Sequence, residues 1–436
     1  MPHRSRFSAG IAALTTVIAL VAAFALASGN GSAPALSVTT PALGLPNTAP
    51  AYPPPTGSVI PPCAFSAADR PNPPAPPPLA AYHFGEPRVV LRHDSAIGIA
   101  GWLPDSERLL ITRLVPGRAR ETIDLFDPTT GELRSVGERA ALAAPPIWLP
   151  ATQAVAFADG ERWPPELRIS TEKANGTTVL SALASPWIAA SPDGRYILGI
   201  AQSDAARPAQ AILLDLTQAL RRAIALPETP SSALAALGQQ FGPEPYQAVW
   251  SPRGDQVAIF NDTGFYLLTV ATNQLCTVDL GREESEAGYG QRWAFQAQWS
   301  FDGHYLAILA TVGDAPVTVS YLIVIDMMAG EQKKFDLHIP LYAIVWDPSS
   351  YTLLVVVEKG VDSDSGALLH GFYLIDPLQG EALSILDNHK FIGAGHWGIT
   401  WSSRSSEVVF ACPLINPADQ VMSEGRLCLV PVEVKQ

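Results

Sequence analysis

Charge is scarce in this chain. Asp, Glu, Lys and Arg make up 16% of its 436 residues, and 41 acidic against 28 basic residues leave a net charge of −13. No basic stripe is present to neutralise phosphates, which argues against nucleic acid as a partner. Cysteine is equally sparse: Cys63, Cys276, Cys412 and Cys428 are the whole set. None forms a C-x-x-C pair, so zinc ribbons and thioredoxin-type redox motifs are excluded. No Gly-rich loop follows a strand and opens a helix to cradle phosphate. Helical periodicity is nearly absent outside one insertion, where Ser231 to Gln240 reads as a short helix.

Apolar residues and proline are plentiful, at 47% and 40 residues. Arg4 and Arg6 precede an uncharged apolar run from Ala9 to Ala27, ending in Ala25-Leu26-Ala27 before Ser28. Residues 1–27 therefore read as a signal peptide or an N-terminal membrane anchor, because about 20 apolar residues are enough to cross a bilayer. Either route predicts an extracytoplasmic location, secreted, periplasmic or membrane-anchored, with membrane contact only through this segment. Residues 28–84 are rich in Pro, Ala, Ser, Thr and Gly, with proline triplets at Pro53 to Pro55 and Pro76 to Pro78. Such composition predicts a disordered, semi-rigid spacer.

From residue 85 to 436 one phrase recurs seven times: a Trp or its stand-in, a tight turn, then strand-forming apolar residues. The marker positions are Trp102, Trp148, Ala190, Trp250, Trp299, Trp346 and Trp401, at spacings of 46, 42, 60, 49, 47 and 55. Four-stranded propeller blades take about 40 to 50 residues each, so two spacings carry insertions. Within a unit a first strand ends at the Trp, as in Gln247 to Trp250. A turn such as Ser251-Pro252-Arg253-Gly254 follows, then a second apolar strand from Gln256 to Phe260. The third strand tends to end near an Asp, and the fourth is more polar. After Trp401 only two more strands fit before the chain ends, while Arg88 to Arg92 has strand character and no blade of its own. The fold predicted is all-β, a monomeric seven-bladed β-propeller of four-stranded antiparallel blades. The N-terminal strand pairs into the last blade and closes the ring.

The phrases Ser191-Pro192-Asp193-Gly194, Trp250-Ser251-Pro252-Arg253-Gly254 and Trp299-Ser300-Phe301-Asp302-Gly303 resemble TolB-like, WD-type propeller repeats. The resemblance spans roughly residues 85–436 and implies the fold alone, since these residues build hairpins and blade packing rather than a site. Repeats one, two, six and seven depart from it in lacking the turn glycine. TolB itself has an additional N-terminal α/β domain, for which residues 28–84 are too rich in proline. Prolyl-oligopeptidase-like enzymes, which share such a propeller, need a following hydrolase domain that the sequence after Trp401 has no room for.

Chemistry is hard to locate. His389 and His396 flank Lys390 in one loop, and Asp362-Ser363-Asp364-Ser365-Gly366 is half a calcium loop without its bidentate Glu. Both read as solvated turns, as does Asn261-Asp262-Thr263-Gly264, and neither a metal nor a cofactor is expected. Cys412 and Cys428 flank a strand–loop–strand and are a candidate disulfide in an oxidising compartment. Cys276 reads as an ordinary buried thiol, and Cys63 as a spacer residue with no evident partner.

One further pattern bears on binding. An aromatic residue stands four positions before the marker in four consecutive repeats: Tyr246, Phe295, Tyr342 and Trp397. Period two places it on the marker's face, either as a packing layer or as a ring of aromatics at one channel mouth. Long connections at 227–245, 281–293 and 386–397 lead into these strands. Tyr246, Arg292, Trp293, Tyr342, His396 and Trp397 are therefore the candidate binding residues. The expected function is non-catalytic binding or scaffolding for a protein, peptide or glycan on the loop face. A metal-dependent hydrolase or lyase in the central channel, and a structural component of an envelope assembly, are the alternatives.

Overall fold

In a computed structural model the chain closes into seven antiparallel blades. The structure describes residues 60–65, 75–104, 107–140, 145–159, 166–171, 177–182, 188–201, 209–218, 220–227, 246–261, 264–285, 288–312, 320–336, 339, 341–361, 368–386, 398–404, 406–415 and 422–435. The helix expected at Ser231 to Gln240 lies outside them.

Blades 1 to 6 each run in chain order from an innermost to an outermost strand. In blade 1 these strands are Ile97–Trp102, Leu109–Leu114, Arg120–Phe126 and Leu133–Ala140. Their burial follows their place in the ring. The second strand of blade 2, Ala154–Asp159, is buried at every residue, whereas the outermost strand of blade 6, Glu381–Ile385, is exposed over its first three. Strands flanked by blades on both sides read as continuous apolar runs, and the rim strand faces water.

Blade 7 is completed from the other end of the chain. Its own strands are Ile399–Trp401, Glu407–Ala411 and Met422–Val434. The free edge of the last one pairs with Arg88–His93, in register Arg88 to Leu429 and Arg92 to Arg426, and with Tyr82–Phe84, in register Tyr82 to Val434. The expected closure is thus present and begins three residues before the boundary at 85. It removes what would otherwise be an open sheet edge.

The core is divided among the blade interfaces. Seven buried clusters correspond to the seven contacts between neighbouring blades, from the 7–1 contact (Ile97, Leu109, Val409, Leu427) to the 6–7 contact (Val356, Phe372, Val408, Phe410). Every marker position belongs to the cluster its blade shares with the preceding blade. Trp250, Trp299, Trp346 and Trp401 are buried there, and Trp102, Trp148 and Ala190 are partly so. The repeated Trp is therefore a device for joining blades.

The turn after each marker has its own logic. In blade 3 Ser191 Oγ donates to Asp193 (2.5 Å) and accepts from the Tyr196 amide (2.8 Å). Ser300 repeats this with Asp302 (2.8 Å) and the Tyr305 amide (2.9 Å). Gly194 closes the turn at φ 69°, where a side chain would be strained and would meet Pro150 of the previous turn. The third-to-fourth-strand turns are capped by a carboxylate. Asp215 Oδ1 accepts from the amides of Thr217 (2.9 Å) and Gln218 (3.1 Å), and Asp376 does the same for Leu378 and Gln379.

Some of the stretch expected to be a spacer lies on the propeller rim. Pro62 bridges in parallel to Thr277, and Cys63 is disulfide-bonded to Cys276, with 4.8 Å between Cα atoms. Ile60 packs on the cluster between blades 3 and 4, Phe65 on that between blades 4 and 5, and Leu79 is buried between blades 6 and 7. Tyr82 then anchors the strap, its hydroxyl lying 2.7 Å from Asp347, 2.8 Å from Ser350 and 3.1 Å from Thr352 in the turn of blade 6. Burial, with the Asp347 carboxylate beside it, pushes the Tyr82 phenol well above its ordinary value despite the Ser350 and Thr352 contacts. The expectations for Cys63 and Cys276 are corrected accordingly: neither is free. Isolated apolar residues among the prolines, Ile60, Phe65 and Leu79, supply the burial that the average composition concealed.

Candidate functional site

Innermost strands surround the axis, with contacts running from blade 2 through blades 3, 4, 5, 6 and 7 to blade 1. Turns from first to second strand emerge on one side of the ring, the turn face. Connections between blades emerge on the other, the loop face.

Tyr246 is 4% exposed, sits in the cluster between blades 3 and 4 with Trp250, and donates its hydroxyl to the Pro227 carbonyl at 3.2 Å. It belongs to the packing layer. Tyr342 is half-buried and meets His370 edge-on at 4.8 Å. The same-face rule fails for it. Leu341 pairs with Val357 and Ala343 with Val356, so Tyr342 is the extra residue of a β-bulge. It packs with Ala343 toward blade 7, whereas Trp346 packs with Ile344 toward blade 5. Phe295 occupies the same kind of bulge, between Ala294 and Gln296.

Arg292 and Trp293 lie on the innermost strand of blade 5, Gly288–Trp299, paired with Val312 and Thr311. The connection expected over 281–293 is a hairpin, with Arg282–Ser285 antiparallel to Gly288–Gln291. His396, Trp397, His389 and the Asp362 to Gly366 turn lie outside the described residues. Asn261 and Gly264 do close a hairpin, the Asn261 side chain accepting from the Gly264 amide at 3.1 Å. Among the described residues no three His, Cys, Asp or Glu side chains converge as a metal-binding group.

The disulfide expected between Cys412 and Cys428 is present, with 5.8 Å between Cα atoms. It ties the second strand of blade 7 to the long strand that carries the closing pair. With Cys63–Cys276 it accounts for all four cysteines, as befits a protein of an oxidising, extracytoplasmic compartment.

On the turn face the joints between blades differ. Trp299 donates its indole N–H to the Val249 carbonyl at 3.1 Å, and Trp346 to the Gln298 carbonyl at 2.9 Å. Gln296 and Gln298 add side-chain acceptors for the amides of Ile344 and Trp346, each at 3.2 Å. Around blades 1 to 4 this stapling lapses. The Trp102, Trp148 and Trp250 indole nitrogens are buried without a hydrogen-bond partner, and blade 3 has Ala190 in place of Trp. An open cavity of about 200 Å³ lies there, walled by Trp102, Trp148, Ile147, Ala190, Pro104 and Pro150 among others. Sequence reasoning noted Ala190 as a departure from the repeat without drawing the void it leaves.

No protein-family model matches the chain, and no curated protein matches it in sequence. Solved structures do. An oligogalacturonate lyase in complex with manganese is similar over 81% of this chain and 96% of its own, with a TM-score of 0.53 at 11% identity. TolB from Acinetobacter baumannii is similar over 72% of this chain and 78% of its own, with a TM-score of 0.37 at 12% identity. At 11% identity the likeness to the lyase is one of fold alone. The architecture itself, seven antiparallel blades in a closed ring, is that of a β-propeller. No described helix is long and apolar enough to cross a membrane.

Proposed function

We propose that the chain is an extracytoplasmic β-propeller that binds a protein, peptide or glycan on its loop face and performs no chemistry of its own. The observation that carries this reading is the rigidity of the scaffold. The ring is closed by chain-end pairing, carries a buried apolar cluster at every blade interface and is tied by two disulfides. Connections between blades are thereby displayed from a fixed frame, where binding residues are typically carried. The N-terminal run from Ala9 to Ala27 supplies export, as a cleaved signal or as an anchor.

The test is binding of the purified protein to peptide and glycan arrays. Alanine replacements of Arg292, Trp293, Tyr342, His396 and Trp397 are read beside it. Capture of one ligand class should be lost in at least the Trp variants while the unfolding midpoint stays put. Undiminished capture across all five would sink the loop-face site.

A second reading, a metal-dependent lyase, draws support from the fold shared with the manganese-bound lyase over nearly all of that enzyme's length. Elemental analysis of the protein decides between the two. A stoichiometric divalent metal, lost on replacing His389 or His396, would favour the lyase.

A further inference from the structure

The gap beside Ala190 is defined by the repeats around it. In the other six repeats the marker is a Trp. In blades 5 and 6 its indole crosses to the preceding blade and donates to the carbonyl just before that blade's own Trp, at Val249 and Gln298. In blade 3 the backbone follows the same course. Ala190 packs into the cluster shared with blade 2, and the Ser191 turn keeps its hydrogen bonds. Only the ring is missing. The acceptor waiting in blade 2, by the same register, is the carbonyl of Ile147, which lines the cavity together with Ala190 and Trp148.

Size and chemistry agree with a ring-shaped ligand. An apolar cavity of about 150 Å³ is enough to take up benzene, and the cavity here is about 200 Å³. Trp102 and Trp148 are among its lining residues, and indoles favour offset or edge-on contact with another aromatic ring. Exposed Pro104 and Pro192 stand at the rim and offer apolar contact to a ligand's flanks. The Trp102 and Trp148 indole nitrogens lack acceptors here, as does that of Trp250 in the next blade. With Ala190 in place of a Trp, the Ile147 carbonyl lacks the indole that Val249 and Gln298 receive from Trp299 and Trp346.

We propose that this cavity binds one planar aromatic group carrying an N–H or O–H donor, an indole above all, presented as a side chain by a peptide lying across the turns of blades 1 to 3. The ring takes the place of the absent marker Trp, and its donor meets the Ile147 carbonyl. The site lies on the turn face and shares no residue with the loop-face set, so either can fail without the other.

Calorimetric titration of the whole protein with N-acetyl-tryptophanamide and, separately, with indole tests the proposal. Saturable binding at one site is expected for the amide. Ala190→Trp should fill the cavity, abolish binding and raise the unfolding midpoint, because it restores the residue of the repeat. Ala190→Leu, a smaller plug, should weaken binding by roughly tenfold or more and guards against Ala190→Trp failing to fold. Absence of saturable binding to the unmodified protein would overturn the proposal. So would equal affinity in the Ala190→Leu variant, or binding of indole with none of the amide.

Discussion

Trp346 and Gln298 grip each other twice across a blade boundary. The indole N–H of Trp346 donates to the Gln298 carbonyl at 2.9 Å, and the Trp346 amide donates to the Gln298 side-chain oxygen at 3.2 Å. Trp346 is 4% exposed, so removing either half strands a buried polar group. Trp346→Phe keeps most of the apolar ring and deletes only the indole donor. It should lower unfolding free energy by about 1–3 kcal/mol, the usual cost of an unmet buried partner. Gln298→Leu should cost a similar amount through the Trp346 amide. Denaturant unfolding of the two single variants and the double variant should show coupling. Strict additivity would mean that the two contacts work independently.

Cys63 and Cys276 are 213 residues apart in sequence, and their bond fixes the N-terminal strap to the rim of blade 4. A cross-link over so long a loop is expected to contribute about 2–5 kcal/mol. The paired Cys63→Ser, Cys276→Ser variant should lose that much and expose residues 60–65 to protease. Mass mapping of the unmodified, alkylated protein should show no free thiol. An unchanged unfolding midpoint in the serine variant would remove the strap's stabilising role.

The architecture was legible because the marker Trp, its turn and the apolar strand that follows obey one spacing. The ring closure was legible because blade 7 came up one strand short. Other features depend on relations that composition and period do not encode. The partner of Cys63 was hidden by distance along the chain and by the prolines around it. Period two placed Tyr342 on the face of Trp346, but a ladder that gains one residue reverses every side chain beyond it. Tyr246, which has no bulge between it and Trp250, did follow the rule. The cavity was half-visible: Ala190 was an evident substitution in the repeat, yet its meaning needed the neighbouring indoles in place.

Tyr82 should be the pin of the strap's second half. Its hydroxyl meets Asp347, Ser350 and Thr352 in the turn of blade 6. Tyr351 does the same for the turn of blade 5, donating to Asp302. Tyr82→Phe should cost about 1.5–3 kcal/mol, the range for a hydrogen bond to a charged group. Hydrogen exchange should speed up at Tyr82–Phe84 and in the facing stretch of the last strand, with little change in blades 2 to 4. Uniform acceleration around the ring would show that the pin serves global stability rather than the strap.

Tyr246 separates packing from binding. At 4% exposure in the cluster between blades 3 and 4, its replacement by Ala should destabilise the protein by about 3 kcal/mol or more. Trp293→Ala, if its side chain belongs to the loop-face set, should leave the unfolding midpoint within about 0.5 kcal/mol of the parent. Thermal unfolding of the two variants side by side checks this. A fall in Trp293→Ala as large as in Tyr246→Ala would return Trp293 to the core.

Asp215 gives the acid side of the stability profile a defined cause. Burial alone would raise its pKa. The Arg195 guanidinium at 2.8 Å, the Thr217 hydroxyl at 2.7 Å and the two turn amides outweigh that, and hold the carboxyl well below the usual carboxylate range. The native group therefore keeps its charge to lower pH than the unfolded one, whose value is about 3.9. Its contribution is complete above that value and is lost as pH falls through the lower native one. Asp215→Asn should accordingly be less stable than the parent by a constant amount from pH 5 to 8, by about 1–2 kcal/mol given the partly exposed Arg195. The gap should then narrow as both proteins are taken from about pH 4 downward. Urea unfolding at a series of pH values measures it. A gap that widens toward acid would mean that Asp215 is neutral in the native ring and that its turn is held by other contacts.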